Sequence, residues 1–117
     1  HRQELLYAAI REAKAMSDAG YRPPRKSMIK VAGRAGVATV SAQMLNMRDG
    51  GFISAHDYHL GRTIAEVMCG GDVEPGSVVD EEWLMTLERK AFTSLLTHPK
   101  TQERIMGMMQ TGKPVRN

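Results

Sequence analysis

The sequence holds a single cysteine, Cys69, so no internal disulfide can staple it. That excludes a disulfide-framed secreted miniprotein and fits a reducing compartment. Aromatic residues are scarce, at 5%. No apolar run approaches the roughly 18 residues that a membrane-spanning helix needs. The opening His1-Arg2-Gln3-Glu4 lacks the apolar core of a secretory signal. A cytoplasmic location without a membrane span is the resulting expectation. What is present is an ordinary globular balance, with 42% hydrophobic and 25% charged residues over 117 positions. Methionine is abundant, with nine copies. A methionine-rich, aromatic-poor core suits packed helices better than a sheet.

The charge is segregated. Residues 1–34 carry eight basic and three acidic side chains, whereas residues 48–90 carry four basic and nine acidic ones. Residues 100–116 are basic again, four against one. A basic end of this size can meet nucleic acid, a phosphate-bearing ligand, or the acidic middle of the same chain. No basic block is dense enough to choose among them.

Hydrophobic periodicity predicts helices. Leu5, Leu6, Ala9, Ala13 and Met16 form one stripe over Arg2 to Ala19. No cap precedes this stripe, which leads to the expectation of a piece of a longer chain. Gly20 stops the helix and Pro23-Pro24 forbid its continuation. Tyr21 to Ser27 reads as a basic connector, and Met28 to Val31 as a brief strand or an extended lead. Val37 to Met47 looks helical, ended by Asp49-Gly50-Gly51. In the next helix Ser54 is placed to cap the N–H of Asp57, and the Asp57 carboxylate to return the bond. Leu60, Ile64, Val67 and Met68 line that helix, and Gly70-Gly71 end it. Asp72 to Val79 reads as a loop. Asp80 caps a fourth helix with Leu84, Leu87, Ala91 and Leu95 on its face. Pro99 opens a fifth that runs to about Gln110 and ends at Gly112. The expected fold is all-α: five helices in a compact, irregular bundle, with at most one short strand, over a single helical domain at 1–117.

Motifs that carry chemistry are thin. Gly33-Arg34-Ala35-Gly36 opens a helix, but a dinucleotide turn needs a glycine at position 31, where Val31 stands. No Gly-Lys-Ser/Thr ending follows for a P-loop. A KH-type clamp would use such a turn on nucleic acid, with Arg34 as the charge, yet that fold needs three strands. A small basic nucleic-acid-binding module using this turn is kept as the alternative function. His56 and His59 have a spacing that could offer two metal nitrogens, and His98 would have to supply a third. Asp57 is explained by capping alone, so no metal site is expected. Cys69 lies at a helix end, where the dipole does not activate a thiol, and reads as a packed small side chain. Glu88 interrupts an apolar face and reads as one half of a structural ion pair.

Several tracts share an order and spacing: Gly51-Phe52-Ile53-Ser54-Ala55-His56-Asp57, Val67-Met68-Cys69-Gly70-Gly71-Asp72, Leu87-Glu88-Arg89-Lys90-Ala91-Phe92 and Pro99-Lys100-Thr101-Gln102-Glu103-Arg104-Ile105. With Gly20-Tyr21-Arg22-Pro23-Pro24 and the close Thr111-Gly112-Lys113-Pro114-Val115-Arg116-Asn117, they resemble the C-terminal region of the long bacterial 3-hydroxyacyl-CoA dehydrogenases of fatty-acid β-oxidation. In that family an NAD-binding dehydrogenase precedes an enoyl-CoA hydratase-like, crotonase-containing region. The resemblance implies a parent enzyme that uses NAD on an acyl-CoA substrate. It also implies upstream catalytic domains on the same polypeptide as partners. The family's nicotinamide turn, its dehydrogenase His–Glu pair and its hydratase-like oxyanion hole lie upstream, so none of its catalytic or cofactor-binding residues falls in this chain. The expectation is a packing segment whose only assigned site residues are the structural cap Ser54 and Asp57. Met106, Met108 and Met109 cannot all be buried by one helix face, so an exposed apolar patch on the last helix, or self-association, is also expected.

Overall fold

The computed structural model describes all residues, His1–Asn117. Five helices form in the order α1 (Arg2–Asp18), α2 (Gly33–Asp49), α3 (Ala55–Met68), α4 (Glu81–Leu96) and α5 (Pro99–Thr111). Two short strands, β1 (Ile29–Lys30) and β2 (Val78–Val79), pair antiparallel, with Ile29 opposite Val79 and Lys30 opposite Val78. The chain is therefore mostly helical, as the periodicity predicts.

Local signals set the helix limits. Asp80 accepts from Trp83 N at 2.7 Å and caps α4. Pro99 occupies the first turn of α5, and Gly112, in the left-handed region, closes it. Gly20, Gly51, Gly70 and Gly71 take the same left-handed backbone at the ends of α1, α2 and α3. On α4 the half-buried positions are Leu84, Leu87, Ala91 and Leu95, the stripe seen in the periodicity.

Four details differ from the sequence expectation. First, α2 begins at Gly33 rather than Val37, because Gly33 N and Arg34 N already bond outward to Cys69 O and Val73 O, at 2.8 and 2.9 Å. Those two N–H groups therefore need no partner within the helix. Second, Val78–Val79 is a strand, not loop, since Met28–Val31 needs a partner for its backbone groups. Val31 extends the clasp: it donates to Ser77 O and accepts from Gly76 N, both at 2.9 Å. Third, α1 does have a cap, for His1 Nδ1 accepts from Gln3 N at 3.3 Å.

The fourth difference is the largest. Helices α2 and α3 make the most extensive pairing, α4 lies on α3, and α5 touches α4 more lightly. Helix α1 joins none of this, and none of its residues is buried. The apolar stripe read from the sequence is real but unpartnered; Leu5 is 73% exposed. The radius of gyration is 19.9 Å. A closed bundle of this length would have about 13 Å. Only Val31, Gly33, His56, Ala65 and Gly70 are buried. The bundle is thus α2–α5, with α1 held off it by the exposed, proline-bearing stretch 21–28.

Candidate functional site

Polar order is concentrated where α3 meets the start of α5. Ser54 Oγ accepts from Asp57 N at 3.0 Å, and Asp57 Oδ2 accepts from Ser54 N at 3.0 Å. This reciprocal pair fixes the Asp57 carboxylate at the first turn of α3. Its other oxygen, Oδ1, takes an ion pair from Arg104 of α5 at 2.9 Å. The Ser54 N–H, aided by Arg104, holds the Asp57 pKa below the usual carboxylate value. Replacing Ser54 by Ala should cost about 1 kcal/mol of stability. Thermal melting checks this, and an unchanged midpoint would mean that Asp57 alone holds the turn.

Arg104 is also tied to Asn117: its Nε donates to Asn117 Oδ1 at 2.6 Å, and a terminal nitrogen donates to Asn117 O at 2.9 Å. Asn117 Nδ2 donates to Lys100 O and Glu103 Oε2. The tail therefore lies back along α5. Gly107 makes room for it, since a Cβ there would sit 2.2 Å from Val115 Cγ2.

Beside this junction three imidazoles gather. The His56–His98, His59–His98 and His56–His59 centroids are 4.6, 5.3 and 6.0 Å apart. His56 is 2% exposed. Its Nε2 lies 3.1 Å from Thr101 Oγ1, while its Nδ1 is buried without a partner. His98 caps α5, its Nδ1 accepting from Lys100 N at 3.2 Å. The rings are tilted by 31–39° to one another, and no group of three or more His, Cys, Asp or Glu side chains is arranged to hold a metal ion. The sequence spacing of His56 and His59, with His98 as third member, is brought together in space without forming a ligand set.

The glycine turn at the start of α2 is filled by the chain itself. Arg34 pairs with Asp72 at 3.0 Å and with Glu74. The hydrogen bond it donates to Asp72 and the charge of Glu74 raise its pKa above the usual guanidinium value. Gly33 N and Arg34 N are bonded to carbonyls and the Arg34 guanidinium is paired, so neither those two N–H groups nor that cation is free for a phosphate. The nucleic-acid alternative finds no support in this geometry. Glu88 is exposed and joins none of the ion pairs, which corrects its reading as a paired acid. Cys69 is half-buried beneath Gly36, where a Cβ would approach its Sγ to 2.9 Å.

An open cleft of about 900 Å³ lies between α2, α3 and α4. Val37, Ala38, Val67, Leu87 and Ala91 supply its apolar lining, and Arg62 and Lys90 are among the charged residues at its edge. Arg62 is near Glu66, at 3.6 Å. No constellation of nucleophile, base and orienting group stands in this cleft or at the histidine cluster. Sequence reasoning missed Arg104, Thr101 and Asn117, whose roles depend on contacts between distant positions. His98 could have been found, because a residue directly before a helix-opening proline stands at the cap.

A comparison with known proteins decides the relationship. Over all 117 residues the chain is 41% identical to a protein of Bacillus subtilis (strain 168) named "Probable 3-hydroxyacyl-CoA dehydrogenase". The chain is a relative of the C-terminal part of that dehydrogenase. It spans 15% of that protein's length. No family model and no solved structure matches the chain. The similarity covers the full length of the chain, α1 included. No helix is long and apolar enough to cross a membrane.

Proposed function

We propose that this chain is the C-terminal helical segment of an NAD-dependent 3-hydroxyacyl-CoA dehydrogenase of fatty-acid β-oxidation. On this reading it is one helical domain of a larger cytoplasmic enzyme that also carries an enoyl-CoA hydratase-like region. Its role is packing, and the chemistry belongs to upstream domains of the same polypeptide, which bind NAD and the acyl-CoA substrate. The observation that carries the reading is the 41% identity with the dehydrogenase along the entire chain.

The surface supports a packing role. Leu5, Leu6, Tyr7 and Ile10 on α1, Phe52 before α3, and Met106, Met108 and Met109 on α5 are all exposed. Large apolar side chains gathered on an unpartnered helix mark a contact surface. In the enzyme these faces meet the upstream domains; in isolation they favour self-association.

Two measurements test the proposal together. The intact polypeptide should reduce NAD with 3-hydroxyacyl-CoA, and the purified 117-residue chain should not. Turnover by the isolated chain overturns the packing role. Failure of the intact polypeptide to oxidise 3-hydroxyacyl-CoA overturns the dehydrogenase assignment.

A further inference from the structure

We propose that His56, His59 and His98 form a pH-sensitive latch that fastens α5 to the start of α3. The inference is independent of the reaction assigned to the whole polypeptide. It rests on how little else holds α5 in place. Helix α5 meets α4 over a small contact, and it reaches α3 through two polar ties, Thr101 to His56 and Arg104 to Asp57. The ring of His56 is therefore one of the few surfaces on which α5 sits.

That ring is built to be neutral. An imidazolium presents two N–H donors, and both must be satisfied when buried. Nε2 faces Thr101 Oγ1, but Nδ1 is sealed from solvent with no acceptor. The neutral tautomer with its proton on Nε2, donating to Thr101 Oγ1, fits this surrounding. The charged form does not. The groups facing the ring oppose protonation as well: His98 at the α4–α5 corner, Lys100 and Arg104 on α5, and His59 on α3. The acid next to it in sequence is Asp57, and its oxygens are already taken by Ser54 N and Arg104. Burial first, then His98, Arg104, His59 and Lys100, hold the His56 pKa below its ordinary value.

The sign of the effect follows. With α5 lifted away, His56 is in water and titrates near pH 6.5. With α5 seated, its pKa is lower, so the open form binds more protons. The latch is closed above about pH 6.5 and is loosened as pH falls below that value. Packing His59 and His98 against the same ring adds to the effect, because two imidazoliums at such separations repel.

Amide hydrogen exchange on the whole chain tests the latch. Protection of α5 is measured at about pH 7.5 and about pH 5.5, corrected for intrinsic exchange, with α2 as internal reference; each unit of depression in the His56 pKa allows up to about a tenfold loss. The expected result is a drop in α5 protection at the lower pH, with about tenfold as its ceiling, while α2 keeps its own. His56→Phe, a ring that cannot titrate, should remove the pH dependence. Should that variant not fold, the NMR titration of His56 in the unmodified chain serves instead. Its midpoint should lie below that of a free imidazole, and the α5 amide shifts should move with it. Equal α5 protection at both pH values overturns the latch. So does a full pH dependence retained in His56→Phe, or α5 shifts that do not follow His56.

Discussion

Gly33→Ala should remove about 4 kcal/mol of stability, the sum of a left-handed backbone cost and an overpacking cost. Gly33 has φ +64°, and a Cβ built there would lie 2.3 Å from Val73 O and 2.8 Å from the Glu74 carbonyl atoms. The obstacle is backbone, not the end of a flexible side chain, so it cannot swing aside. Moving it would also break the bond from Arg34 N to Val73 O. The loss is a large share of the roughly 5–15 kcal/mol that small proteins possess. Gly51→Ala is the control, because Gly51 has φ +78° but nothing within 4 Å of its would-be Cβ. It should show the backbone cost alone, about 1–2 kcal/mol. Urea unfolding of both variants separates the two contributions. Equal losses in the pair would mean that the 72–74 loop yields freely to the new methyl group.

The second large effect is expected at Arg104→Ala, about 2–3 kcal/mol, since hydrogen bonds to charged groups each contribute about 1.5–3 kcal/mol. The variant loses the ion pair to Asp57 and both bonds to Asn117 at once. Partial exposure of the pair keeps the figure from rising further. The pH dependence identifies the Asp57 share. The pKa of Asp57 is depressed in the folded chain, so its contribution is complete above about pH 3.9 and fades as pH falls through the folded value. The gap between variant and unmodified chain should therefore narrow in acid. A gap that stays constant down to about pH 2 would place the whole loss on the Asn117 contacts rather than on Asp57.

These contacts mark the boundary of what the residues reveal in order. Ser54 with Asp57, Asp80, Pro99 and Gly112 act within a turn of themselves, and each was readable because its partner is three or four positions away. The stripe Leu84, Leu87, Ala91 and Leu95 was readable for the same reason: helical period needs no knowledge of what covers the face. The stripe on α1 shows the other side of that rule. Periodicity reports an apolar face and says nothing of whether this chain supplies the cover, so α1 looked like a bundle member and stands apart. Val78–Val79 was too short for its own signal and exists only because Ile29–Lys30 runs beside it. Arg104 and Thr101 carry no pattern that points to α3. The histidines were legible as residues, and their meeting was not. His98 comes to His56 only through the corner between α4 and α5. Glu88 was misread because an acid inside an apolar stripe can sit at the stripe's edge, where it needs no partner.

The two-strand clasp has a consequence for the order in which the molecule assembles. Its register, Ile29 opposite Val79, closes a loop that contains all of α2 and α3. Bringing the ends of about 50 flexible residues together costs about 3–4 kcal/mol. Two short strands cannot meet that cost alone. The α2–α3 hairpin has to form first, shortening the effective tether until the strands face each other. The clasp is then a late event, a zip fastener that closes on a finished pair of helices. Helix α1 lies on the far side of it, so whatever orientation α1 has relative to the bundle is inherited through that closure. The arm is tied to the body only through that clasp and the exposed stretch 21–28, so its anchoring comes last in assembly.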